Sequence, residues 1–234
     1  MEKLLKFRDI IAALFSTFAT LAVVAQTEVP VWLGMTQQEL DAAYDQAVYA
    51  ANLEQVLARQ AENSRIAIAN LGEPTRYQYG TKNIESLDVY SAAGSDNPTL
   101  VYVHGGTWRF GVAADNAFAA ETFVNAGINF VVLDFSSVDD FSGDLEALVA
   151  QLKQATRWLH ENGEREFSAD IGKMFLAGFS SGAHLAAQLL IQDWTEAGLS
   201  DYPFAGALLC SGMYDMAPVA LSFRREFVNL TEDS

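Results

Sequence analysis

Cysteine is nearly missing from this chain. Cys210 stands alone, which excludes an internal disulfide, a thiol redox pair and a multi-cysteine zinc site. Its apolar setting, Ala207-Leu208-Leu209-Cys210, predicts a buried core thiol rather than a nucleophile. Basic residues are scarce as well: 14 lysines and arginines face 30 acidic residues, for a formal net charge of −16. They are scattered, with no stripe able to neutralise consecutive phosphates, so nucleic acid is not an expected partner. The acidity itself speaks for solubility and not for a fold or a substrate. Histidine is limited to His104, His160 and His184, which narrows the choice of any imidazole base. Repeats and low-complexity segments are absent. Half of the 234 residues are hydrophobic and 19% are charged, the make-up of one packed core rather than of a disordered or fibrous chain.

One apolar run stands out, at the N-terminus. Lys3, Lys6 and Arg8 precede the stretch from Ile10 to Ala25, and Val23-Val24-Ala25 supplies small residues before a cleavage point. The pattern resembles a secretory signal and predicts a secreted or periplasmic protein. The alternative is a cytoplasmic protein in which this stretch is a buried amphipathic helix or an upstream extension of the reading frame. With about 16 residues against the roughly 20 of a membrane span, membrane contact is expected through this segment only, as an uncleaved anchor. Residues 1–33 are therefore read as a signal-like or anchor segment and link, and residues 34–234 as the folded domain.

Within that domain, Thr36-Gln37-Gln38-Glu39 has capping-box spacing and opens a helix whose apolar face carries Leu40, Ala43, Tyr44, Ala47 and Val48. A second helix runs from about Asn52 to Leu71-Gly72, ahead of Pro74. Both are expected to pack outside the main sheet. Strands then alternate with helices. Residues 83–90 read as a strand, Asp96-Asn97-Pro98 as a turn, and 99–104 as a buried strand. A helix from Phe118 to Ala126, a strand over 129–135 and a helix through Leu145, Leu148, Leu152, Ala155 and Leu159 follow, the last stopped by Asn162-Gly163. A strand over 173–178, a helix from Ser181 toward Asp193 and a strand over 205–212 complete the pattern. This alternation predicts an α/β fold, a mostly parallel sheet with helices on both faces.

Two motifs carry chemistry. Gly178-Phe179-Ser180-Ser181-Gly182 lies between a predicted strand and a predicted helix, the context in which a serine is held on a strained turn with its hydroxyl exposed above the sheet. The helix behind it aims N–H groups and partial positive charge at an oxyanion formed there. Ser180 is the expected nucleophile; an ordinary small-residue turn is the bland reading. His104-Gly105-Gly106-Thr107-Trp108 follows the strand over 99–104. Its backbone N–H groups at Gly105 and Gly106, with that of Ser181, are the candidate oxyanion donors. His104 is read as holding the loop backbone, and Trp108 as packing at the pocket mouth or in the core.

Together the two motifs resemble the α/β-hydrolase superfamily. The form HGGTW with GFSSGAHLAA resembles the kynurenine formamidase (arylformamidase) and related esterase group, neighbours of the hormone-sensitive-lipase-like esterases. LDAAYDQAVYAANLEQVLARQ, IESLDVY and LLCSGMYDMAPV are similar to its bacterial members, so the resemblance covers about Gly34 to Asp233. It implies an α/β-hydrolase fold and a small-molecule ester or aryl formamide as substrate. It implies no cofactor and no metal, Ser180 as nucleophile, and Gly105, Gly106 and Ser181 as oxyanion donors.

The triad of this fold runs in the order Ser, Asp or Glu, His. Only His184 follows Ser180, one helical turn on, where it lies beneath the nucleophile rather than across from its hydroxyl. It is read as packed and hydrogen-bonded, and His160 as facing the C-terminal end of its helix. Asp215 is a weak candidate for the triad acid and reads better as a loop-fixing carboxylate, as does Asp134. Asp139 and Asp140 read as solvated. The resemblance implies further strands, an acid and a histidine beyond Ser234, so residues 34–234 are expected to form an incomplete α/β-hydrolase domain lacking its C-terminal strands and helices. The sheet would then end on an exposed strand, open to pairing with another chain as in a homo-oligomer. The rival reading is a non-catalytic or truncated α/β-hydrolase-like protein.

Overall fold

Thr36 opens the fold with the reciprocal cap its sequence predicts: its hydroxyl accepts from the Glu39 N–H, and the Glu39 carboxylate accepts from the Thr36 N–H at 2.8 Å. The computed structural model describes residues 29–230, which from Val31 onward belong to one compact unit. The signal-like segment lies outside the described residues, apart from its last few positions. Helix α1 (Gln37–Tyr44) ends at Asp45, whose side chain caps the short α2 (Gln46–Tyr49), so the single helix expected there is broken in two. Helix α3 (Leu53–Leu71) follows as predicted.

Six strands form one sheet in the order β1-β2-β4-β3-β5-β6. They are β1 (Thr75–Gln78), β2 (Ser86–Tyr90), β3 (Asn97–Val103), β4 (Asn129–Leu133), β5 (Ala169–Phe179) and β6 (Gly206–Cys210). The β1/β2 and β2/β4 pairs are antiparallel, and β4/β3, β3/β5 and β5/β6 are parallel. Side chains alternate across the sheet. Leu87, Val89, Val101, Val103, Val131, Leu133, Met174 and Leu176 join one core with α5 (Leu145–Phe167) and α6 (Ser181–Leu190). Tyr90, Phe130 and Val132 join a second with Ala113, Ala117 and α4 (Ala120–Asn125). The doubly covered, largely parallel sheet is the predicted α/β architecture.

Several local expectations are corrected. Helix α5 does not stop at Asn162-Gly163 but runs to Phe167 and closes on Ser168 in the left-handed conformation. The Phe167 ring lies over Gly163 and fills the space a side chain there would take, so packing overrides the stop signal. His160 is consequently inside the helix rather than at its C-terminal end. Strand β1 carries no apolar alternation and was not predicted. Cys210 is exposed, not buried: β6 is an edge strand, and Phe175, Phe179 and Leu208 on the same side of the sheet are exposed too. Among the described residues nothing covers that patch.

Candidate active site

The end of β5 meets the start of α6 at Ser180. Its backbone has φ 54° and ψ −124°, a conformation that L-residues avoid. Tight packing on both sides enforces it. A Cβ on Gly178 would run into the Gly182 carbonyl and Ala183, and one on Gly182 would run into the Val103 and His104 carbonyls at the end of β3. The Ser180 N–H donates to the Cys210 carbonyl at 2.8 Å, tying the turn to β6. The Ala183 and His184 N–H groups donate to the Ser180 carbonyl at 3.0 and 3.2 Å and start the helix.

The glycine turn after β3 reaches the same point. A Cβ on Gly105 would lie 2.9 Å from the Phe179 carbonyl oxygen and 3.3 Å from the Ser180 Cβ, so the turn packs directly on the serine. Gly106, Thr107 and Trp108 have φ of 126°, 55° and 62° in succession. The Gly106 carbonyl is saturated: it accepts from the Arg109 N–H at 3.0 Å, the Phe110 N–H at 2.9 Å and the Thr107 hydroxyl at 2.7 Å. Among the described residues the N–H groups of Gly105, Gly106 and Ser181 have no acceptor. These N–H groups, on the turn packed against Ser180 and on the residue after it, are left free to donate to a bound group.

His104 is 1% exposed and stacks on Phe135 with ring centroids 4.5 Å apart. Its Nδ1 lies 2.8 Å from the Gly105 carbonyl oxygen. A carbonyl can only accept, so Nδ1 carries the proton and Nε2 is left as a buried lone pair with no partner among the described residues. Burial holds its pKa below the ordinary histidine value. Gly111, which the sequence reading passed over, is required here: at φ 107°, a Cβ on it would lie 2.5 Å from His104 Nδ1. The glycine that closes HGGTWRFG was the available signal.

His184 is buried, and its Nδ1 accepts from Trp108 Nε1 at 3.2 Å. Burial lowers its pKa to about 4. Trp108 is a core residue, 1% exposed, and not a group at a pocket mouth. Among the described residues no imidazole is hydrogen-bonded to the Ser180 hydroxyl. Asp215 is exposed and its carboxylate accepts from the Ala217 N–H at 3.0 Å, a loop-fixing contact. Asp134, 2% exposed, accepts from the Ala113 N–H at 2.6 Å and from Arg76, which also binds Asp88 at 2.6 Å. Asp139 is not simply solvated: it pairs with Arg109 Nε at 2.8 Å. No group of metal-ligating side chains occurs among the described residues.

The BD-FAE family matches residues 87–196, a span that contains both motifs. A kynurenine formamidase of Danio rerio is 29% identical over 213 residues, covering 86% of this chain and 69% of that protein. An isoprenylcysteine alpha-carbonyl methylesterase of Arabidopsis thaliana is 28% identical over 120 residues, covering 50% of this chain and 27% of that protein. The crystal structure of a thioesterase candidate from Silicibacter sp. TM1040 superposes with a TM-score of 0.71 at 21% identity, covering 83% of this chain and 71% of that one. By fold, the chain is an α/β-hydrolase. Within that class its sequence is similar to esterases and formamidases.

Proposed function

We propose that this protein hydrolyses small carboxylic esters or aryl formamides through an acyl-enzyme on Ser180. The Ser180 hydroxyl attacks the carbonyl carbon. The oxygen that becomes negative is met by the N–H groups of Gly105, Gly106 and Ser181, and expulsion of the alcohol or amine leaves the acyl group on the serine. Water then releases the acid. The observation that carries this reading is the direct packing of the Gly105 turn on Ser180, with the candidate donors unbonded. The similarity to formamidases and carboxylesterases supports the substrate class.

Among the described residues none of the three histidines is placed as general base: His104 and His184 are buried and bonded elsewhere, and His160 lies within α5. Turnover by this chain alone is accordingly expected to be slow, because an unassisted serine is a weak nucleophile near neutral pH. The test is hydrolysis of p-nitrophenyl acetate and of N-formylkynurenine by wild type and Ser180→Ala. Loss of the wild-type activity in Ser180→Ala is expected on either substrate, and unchanged activity in that variant removes the assignment.

A further inference from the structure

The Gly105–Trp108 turn is a strained segment that must hold its place against a serine on a different element. Three successive residues with positive φ, two of them not glycine, relax unless the surroundings fix them. The Trp108 carbonyl accepts from the Val138 N–H at 2.8 Å, and its indole makes an edge-on contact with the His184 ring, centroids 5.5 Å apart at 90°. The Arg224 guanidinium lies 5.8 Å from the centroid of the Trp108 ring. His184 stands one turn along α6 from Ser180, so its ring moves with the nucleophile.

Because Trp108 Nε1 can only donate, His184 Nδ1 must be the lone-pair nitrogen and Nε2 carries the proton. A protonated His184 has no acceptor to offer. His184 also borders a cavity of about 50 Å³ shared with Val149, Gln188 and Met216, far smaller than the several hundred Å³ of a substrate pocket. Its Nδ1 is taken by Trp108 and not by the Ser180 hydroxyl.

We propose that the Trp108–His184 hydrogen bond is a strut that fixes the spacing between the oxyanion turn and the helix bearing Ser180, making both side chains positioning residues for the reaction. It rests on the reading of Ser180 and the Gly105 turn given above. Gly182, packed on the Val103 and His104 carbonyls, anchors the start of that helix; the strut adds a second tie two residues further along. Without it the turn drifts relative to Ser180 and the donors no longer meet the oxyanion together.

The experiment compares wild type with Trp108→Phe, His184→Leu, His184→Asn and the Trp108→Phe/His184→Leu double variant in the full chain. Phe keeps the ring and removes the donor; Asn keeps an acceptor near the Nδ1 position; Leu keeps bulk alone. Two quantities are read: amide hydrogen exchange at Arg109, Phe110 and Val138, and kcat and KM for p-nitrophenyl acetate. The expected result is exchange at least tenfold faster in Trp108→Phe and His184→Leu, no further increase in the double variant, and near-wild-type protection in His184→Asn. Turnover should follow the same order, with kcat lowered at least tenfold and KM within about twofold. Exchange within twofold of wild type in His184→Leu, or independent losses that multiply in the double variant, overturns the strut. If hydrolysis survives Ser180→Ala, the catalytic reading fails separately, and the exchange data still decide whether the strut exists.

Discussion

At the scale of single residues, Gly106 is the position least able to change. Its φ of 126° is strained for any L side chain, and a Cβ would collide with the Phe110 carbonyl. Gly106→Ala is expected to displace the turn and lower kcat/KM by about two orders of magnitude, the usual cost of one oxyanion donor, with KM changed little; steady-state kinetics on a short acyl ester checks it. Normal kinetics in that variant would remove Gly106 from the site. The strained turn at Ser180 and the glycine turn at Gly105-Gly106 were legible in the sequence because each motif is local and its strand-turn-helix context is readable from the alternation around it. The Trp108–His184 bond was not: its partners are 76 residues apart, and only the parallel placement of β3 beside β5 brings them together. His184 was correctly read as packed, but its partner was invisible.

At the scale of elements, β1 shows what patterning misses. Thr75–Gln78 is short, largely exposed and without apolar alternation, yet Arg76 on it neutralises Asp88 at the centre of β2 and Asp134 at the end of β4. Both carboxylates are buried, and burial pushes the Asp88 pKa up against the pull of Arg76. Arg76→Met would leave two close, unpaired acids. A loss of about 2–3 kcal/mol is expected, discounted for the part-exposed guanidinium, and urea unfolding at pH 7 measures it. A change within about 0.5 kcal/mol would show the pair to be passive. The sequence reading took Asp134 correctly as a structural carboxylate but had no means of finding Arg76. Edge position also explains Cys210: its neighbours read as core, but among the described residues β6 has a partner on one side only. Native alkylation by iodoacetamide should therefore be rapid, without denaturant.

At the scale of the whole molecule, two buried neutral imidazoles make stability depend on pH. Burial holds His184 at about 4, with Asp144 and Glu146 bordering the same cavity and Arg224 across the Trp108 ring; burial lowers His104 as well. Between about pH 6.5 and 4 the unfolded chain binds a proton on His184 that the native state refuses, and His104 acts in the same direction. Their stabilising effect is thus full above the unfolded value and shrinks as pH falls through this window. Wild type should lose about 2 kcal/mol relative to His184→Asn between pH 7 and pH 5, read from denaturation midpoints. Parallel pH profiles for the two would show that His184 is not held neutral by the fold. The doubly covered sheet, by contrast, was plain from the order of strands and helices, since that order admits few other packings.

The central claim is that Ser180 is a nucleophile assembled with the Gly105 turn. Its most direct test is reaction of the full chain with a fluorophosphonate followed by peptide mapping, because phosphonylation records nucleophilic attack without requiring turnover. The prediction is a single covalent adduct on the peptide containing Ser180, absent in Ser180→Ala and slowed in Gly106→Ala. An adduct formed on another residue in preference to Ser180, or a Ser180 adduct formed no faster than on the other serines of the chain, would contradict it.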